Sequence, residues 1–289
     1  MILQKELRRV SIMDNRFSVY MQKFIPQHLL SIFFGKLAHV QTPWMKNWMI
    51  RRFIRKYHVD MSLALNENPE SYSDFNQFFI RQLKSDLRPL ATAENEIVSP
   101  VDGMIAQVGK IRQDQLLQAK DFYYDLKTLL GDEKLASQFH DGSFATLYLA
   151  PFDYHRVHMP LTGKLIKSTY IPGKLFSVNR LTSEIIPQLF TRNERLIMTF
   201  DTAAGPMAVI MVGAMIVGNI ETVWMEKPVR AKEVASSSPD IHLQKGAELG
   251  HFTLGSTVIL LFGKDKVEWE GQADKKVIWG EKLGVLRKP

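Results

Sequence analysis

From Glu96 onward the chain is a succession of short β-rich runs, at 104–108, 144–149, 164–171, 196–200, 208–212, 257–262 and 276–279, separated by Gly, Pro and Asp. Parallel strands need a long crossover between neighbours, usually a helix, and such helices are mostly missing here. The pattern therefore predicts an antiparallel β-sandwich or barrel-like core, interrupted by one helical insertion at about 121–139. The first ninety residues have a different texture. Ser71 with Asp74 reads as a capping box, and Phe75, Phe78, Phe79 and Leu83 then fall on one helical face. Arg88-Pro89 closes the helical part, and 235–240 reads as a flexible loop. The fold class expected is α+β: a helical N-terminal region, 1–90, followed by a β-rich domain, 91–289.

Composition adds two constraints. The chain has no cysteine, which removes disulfides and thiolate chemistry and fits a reducing compartment. Its net charge of +7 is concentrated: between Asn15 and Val59 there is no Asp or Glu, against eight basic residues. In Trp44-Met45-Lys46-Asn47-Trp48-Met49-Ile50-Arg51-Arg52-Phe53-Ile54-Arg55-Lys56-Tyr57 the cations alternate with large apolar side chains. A helix of this kind sets Trp44 and Trp48 among lipid headgroups while Arg51, Arg52, Arg55 and Lys56 meet anionic phosphates. A solvated hairpin or a nucleic-acid surface are the competing readings. No apolar run reaches the roughly 20 residues that span a bilayer. The N-terminus lacks the apolar stretch of a signal peptide. The expectation is a peripheral protein on the cytoplasmic face of a membrane.

Three islands concentrate reactive groups. Ser99-Pro100-Val101-Asp102-Gly103 is a tight turn that presents a carboxylate. Asp153-Tyr154-His155-Arg156-Val157-His158-Met159-Pro160 carries two histidines three residues apart. Imidazoles titrate near neutrality and suit proton transfer, whereas a metal would need a third ligand that the sequence does not identify. In Leu254-Gly255-Ser256-Thr257, a glycine carbonyl precedes a hydroxyl that can attack it through a five-membered ring. A non-catalytic β module, a serine hydrolase and a metal enzyme compete with a self-processing enzyme at this point. The absence of a Gly-x-Ser-x-Gly elbow weakens the hydrolase.

Taken together, the three islands resemble the phosphatidylserine decarboxylase family in order and approximate spacing. Further matches are Phe75–Arg81 with Leu83-Lys84, Pro172-Gly173-Lys174-Leu175-Phe176-Ser177-Val178-Asn179, Asn193-Glu194-Arg195, and Val212-Gly213-Ala214 with Val217-Gly218. The resemblance runs from about Phe75 to the C-terminus and is closest to the bacterial membrane-associated type. It implies a self-cleavage triad of Asp102, His158 and Ser256, with cleavage between Gly255 and Ser256 into a β chain, 1–255, and an α chain, 256–289. It further implies a covalent pyruvoyl group at residue 256, formed from the serine and serving in place of pyridoxal phosphate or a metal. That group forms a Schiff base with phosphatidylserine and releases CO2, with His155 donating a proton, to give phosphatidylethanolamine. The implied partners are phosphatidylserine in an anionic membrane and the two chains of one precursor, which dimerise further, with no nucleic acid.

Overall fold

The computed structural model describes residues 16, 19–22, 24–88, 90–119, 122–214, 220–225, 233–253 and 256–287. Its centre is an antiparallel nine-stranded sheet. In order, it holds Ala235–Ser237, Gly163–Ile171, Arg195–Thr202, Gly205–Val212, Ser256–Phe262, Ser143–Leu149, Gly103–Lys110 and Lys276–Val277, and His242–Leu243 also pairs with Gly163–Ile171. The order does not close on itself, so the core is an open sheet of the expected antiparallel kind and no barrel.

The Ser256–Phe262 strand lies in the interior of that sheet and is buried at every position. Its continuous run Val-Ile-Leu-Leu-Phe suits a strand covered on both faces. Gly205–Val212 flanks it on one edge and Ser143–Leu149 on the other, with Ser256 opposite Leu149 and Phe262 opposite Ser143. Two small three-stranded sheets and one two-stranded hairpin accompany the central sheet among the described residues. One small sheet orders Ile220–Thr222, Glu248–Phe252 and Arg156–His158; the other orders Glu96–Val98, Lys282–Leu286 and Val267–Trp269. The second ties the end of the chain to the start of the β region.

Two helices, Gln27–Ala38 and Pro43–Tyr57, precede the sheets. The second opens on Pro43, whose missing N–H is harmless in a first turn. It buries Ile50 and Lys46, the latter satisfied by Asn47 and by the carbonyls of Glu70 and Tyr72. Phe53 of this helix packs edge-on against Phe75, Phe78 and Phe79, with centroids 5.3, 5.9 and 6.0 Å away. The first helix is tied to the β region because Gln27 accepts a hydrogen bond from the Leu175 amide at 2.8 Å.

Several elements depart from expectation. Residues 115–119 and 122–125 form a hairpin, and only Leu126–Leu130 and Glu133–Ser137 of the expected insertion are helical. Phe122-Tyr123-Tyr124 favours a strand, and the Asp125 side chain caps the first helix by accepting from the Thr128 amide. Asp74, not Ser71, caps the next helix upstream, Phe75–Phe79, by accepting from Gln77. That helix is a single turn, and Leu83 instead bridges to Ala64. Residues 235–237 are an edge strand, where a loop was expected. Pro89 and Asp121 lie outside the described residues.

Candidate active site

The site gathers where the ends of the central strands meet the two small sheets. The Ser143–Leu149 strand delivers a turn in which the Asp153 carboxylate accepts the Ala150 amide at 2.7 Å. His155 follows, and its carbonyl accepts the Phe252 amide at 3.0 Å, which draws the strand before the Leu254-Gly255-Ser256 run onto the histidine segment. Leu254 and Gly255 themselves lie outside the described residues. Ser256 is fully buried, and its Oγ has no hydrogen-bond partner. Next to it Thr257 Oγ1 is also buried and unpaired. A buried hydroxyl normally finds a partner, so this serine is held with its oxygen uncommitted.

The histidines are held differently. His155 is fully buried, with the Phe79 ring 4.2 Å from its own, and its Nδ1 donates to the Asp153 carbonyl at 2.8 Å. That bond leaves Nε2 as a bare acceptor, and Nε2 is unpaired. Burial pushes the imidazole down to about 3, so the ring is neutral at physiological pH. His158 donates from Nδ1 to the Gly246 carbonyl at 2.9 Å, while Nε2 accepts a long bond, 3.3 Å, from the Tyr154 hydroxyl. Burial again lowers its pKa, against the Gly246 bond and the charges of Glu248 and Asp102, which raise it. Burial raises the Tyr154 phenol, which stays protonated.

Asp102 stands in the expected turn but makes no hydrogen bond to His158. Arg88 engages both of its oxygens, at 3.2 and 2.6 Å, and the Trp279 amide donates to Oδ1 at 2.9 Å. Trp279 is the structural link between the two residues. Its indole lies flat on the His158 imidazole, with rings 4.0 Å apart and 6° from parallel. Orientation of His158 therefore comes from Gly246 and Trp279, and the Asp102 charge acts on it through space. Gly103 is required beside this carboxylate, because a Cβ there would stand 2.3 Å from the Tyr148 carbonyl of the neighbouring strand.

A second ionic group braces the histidine strand. Arg156 donates to both oxygens of Glu248, at 3.0 and 2.7 Å, and His251 lies between Glu248 and Glu221. Burial alone would depress His251, but the two carboxylates outweigh it and raise its pKa. Among the described residues no group of three or more His, Asp or Glu is placed to hold a metal.

The basic helix presents the expected side chains outward. Trp44 and Trp48 are 73% and 57% exposed. Arg52 lies over the Trp48 ring, Lys56 over Tyr57, Arg55 reaches back to the Arg51 carbonyl, and Arg51 pairs with Glu70. Leu29 and Phe33 of the preceding helix are also exposed and extend the apolar surface. Among the described residues no helix is long and apolar enough to cross a membrane. Sequence reasoning also missed Arg88, Trp279 and Gly246. The first lies at the edge of the helical part, and the others are far from their partners along the chain.

Comparison with known proteins bears on this geometry. The family model described as phosphatidylserine decarboxylase matches residues 75–285, and one described as PSD matches residues 17–58. A phosphatidylserine decarboxylase proenzyme of Azotobacter vinelandii is 51% identical over 265 residues, covering 89% of this chain and 93% of its own. Proteins of the same description from Saccharophagus degradans and Legionella pneumophila are 48% and 50% identical, each covering 93% of this chain and 97% and 95% of their own.

Proposed function

The chain belongs to the phosphatidylserine decarboxylase family and is a decarboxylase; on that premise we propose that it first cuts itself between Gly255 and Ser256 and then works on phosphatidylserine with a pyruvoyl group at residue 256. The observation that supports this most strongly is the uncommitted, fully buried Ser256 hydroxyl at the head of a central strand. Its place directly after the Gly255 carbonyl separates it from the other buried, unpaired hydroxyls of the sheet, those of Ser143 and Ser168.

In the self-cleavage, Ser256 Oγ attacks the Gly255 carbonyl carbon and the peptide bond becomes an ester. His158 takes the hydroxyl proton on Nε2, the nitrogen to which Tyr154 now donates, and Asp102 stabilises the imidazolium by its charge. Loss of the Ser256 α-proton then expels the Gly255 carboxylate. Hydrolysis of the resulting dehydroalanine consumes one water and releases ammonia. The products are a β chain, 1–255, and an α chain, 256–289.

A pyruvoyl carbonyl supplies an electron sink for decarboxylation through a Schiff base with the substrate amine, the part that pyridoxal phosphate plays elsewhere. The surroundings of Ser256 fit such a group, since they are buried and the adjacent Thr257 Oγ1 is unpaired. His155, whose Nε2 is bare at rest, takes up a proton given off by the substrate ammonium and delivers it in place of CO2, and the product is phosphatidylethanolamine. A diacyl lipid does not leave a bilayer readily, at about 0.8 kcal/mol per buried CH2. The exposed Trp44, Trp48, Arg52, Arg55 and Lys56 surface supports docking on an anionic membrane; the proposal sets the protein on the cytoplasmic face and has processed protomers dimerise further.

The reading is tested by treating the processed protein with phosphatidylserine and cyanoborohydride, which reduces a Schiff base to a stable amine. Inactivation that requires both reagents is expected. Undiminished decarboxylation after that treatment contradicts the pyruvoyl centre.

A further inference from the structure

Arg81 has no part in the chemistry above, yet it is among the most unusual side chains of the molecule. It is 5% exposed, and its Nε and Nη1 have no hydrogen-bond partner. Among the described residues its only side-chain hydrogen bond runs from Nη2 to the Phe152 carbonyl at a long 3.5 Å, and the guanidinium lies over the Phe78 ring, 5.4 Å from its centre. Neither contact neutralises the charge. The acids nearby are otherwise engaged. Asp102 is held by Arg88 on both oxygens, and Asp153 is bonded by the Ala150 amide and pushed by burial to about 6. A buried cation without a counterion is costly, and donors in a fixed fork are suited to the oxygens of an anion.

The position of Arg81 narrows the choice of anion. Phe78, beneath its guanidinium, and Phe79 pack on Phe53 of the basic helix, whose outer face carries Trp44 and Trp48. Phe79 in turn packs on His155, and the charge of Arg81 is felt at His155, Asp102, Asp153 and Tyr154. Arg81 thus stands between the helix expected to face lipid and the reacting centre. In a phospholipid of serine, the phosphodiester occupies that place between the acyl chains and the amino acid.

We propose that Arg81 is the substrate-recognition residue for the phosphodiester of the lipid headgroup, an inference that rests on the function proposed above. The carboxylate is the poorer partner. Its charge is dispersed as CO2 leaves, so a guanidinium fixed on it would stabilise the ground state more than the transition state. The phosphodiester charge is unchanged through the reaction, and binding it holds the substrate without opposing the chemistry.

The test uses processed enzyme bearing Arg81→Met or Arg81→Lys, assayed on phosphatidylserine in mixed micelles. Two soluble competitors are added: glycerophosphoethanolamine, with a phosphodiester and no carboxylate, and serine, with the reverse. Both variants should cleave themselves as the wild type does. Arg81→Met should raise KM by about tenfold to a hundredfold, the range for a lost charged hydrogen bond, with kcat within a few-fold of wild type. Competition by glycerophosphoethanolamine should weaken by the same factor while that by serine is unchanged, and Arg81→Lys should recover part of both effects. If Arg81→Met does not process, Arg81→Lys carries the test with a smaller rise in KM and the same contrast between competitors. A fall in kcat with loss of serine competition would assign Arg81 to the carboxylate instead, and unchanged kinetics would leave it no ligand; either overturns the proposal. A wild type that cuts itself and decarboxylates phosphatidylserine while the variants match it refutes this inference alone. A wild type that does neither refutes the function beneath it.

Discussion

Removing Arg88 from the Asp102 pair is the sharpest test of how the site is built. The side chains of Arg88 and Asp102 are 8% and 12% exposed and meet through two hydrogen bonds. Arg88→Met deletes the charge while keeping most of the apolar stem, leaving a buried carboxylate with the Trp279 amide as its remaining donor. Breaking one side of a buried pair costs about 3–5 kcal/mol, because the surviving charge is uncompensated. The retained amide bond places the expectation at the lower end, about 3 kcal/mol. With an m-value of about 3 kcal/mol per M, that lowers the urea midpoint by about 1 M. The measurement belongs in a Ser256→Ala background, where no cleavage changes the chain. Adding Asp102→Asn removes the stranded charge, and the double variant should recover at least about 1.5 kcal/mol of the loss, a coupling typical of contacting residues. A loss below about 1 kcal/mol, or a double variant no more stable than Arg88→Met, would refute the reasoning.

Three further outcomes follow from the geometry. Asp153 is raised by burial to about 6 against an ordinary 3.8, so the folded protein binds a proton more tightly than the unfolded chain. Its effect on stability is therefore favourable at low pH and fades as pH climbs through 6; at neutral pH Asp153→Asn should gain up to about 2 kcal/mol over wild type in denaturation, a difference that vanishes below pH 4. Trp279→Ala removes the ring that lies on His158 and should slow self-cleavage at least about tenfold in a time course of chain appearance, whereas Trp279→Phe should keep most of the rate; equal rates for all three would show that the stack does not position the base. The α chain would supply the central Ser256–Phe262 strand, with partners on both edges, and the middle strand of the Glu96–Val98 sheet. The cut protein should accordingly elute as one species on gel filtration and separate only in denaturant.

The strands were legible because each apolar run is bounded by Gly, Pro or Asp and matches the period of a buried strand. Even the least clear, 276–279, contains one. The hairpin at 115–125 was missed because Gln-Leu-Leu-Gln-Ala has no period-two alternation, so pairing with Phe122–Asp125 decides its state and local preference does not. The reactive residues of the site were legible individually as Asp102, His155, His158 and Ser256. Their arrangement was not. Asp102 meets an amide 177 residues later and His158 a carbonyl 88 residues later. Such pairings follow from sheet order and leave no mark in local spacing. Arg81 illustrates the same limit: it sits in a phenylalanine-rich turn that reads as core, and only its burial with Nε and Nη1 unpaired sets it apart.

The central claim is that Ser256 is a nucleophile once and a carbonyl thereafter. Intact mass measurement of purified wild type beside Ser256→Ala tests it directly. The wild type should give two chains, the shorter one beginning at former residue 256, lacking a free amino terminus and carrying the mass of a pyruvoyl group, while Ser256→Ala gives one uncut chain. A single 33.2 kDa species from both proteins would contradict it.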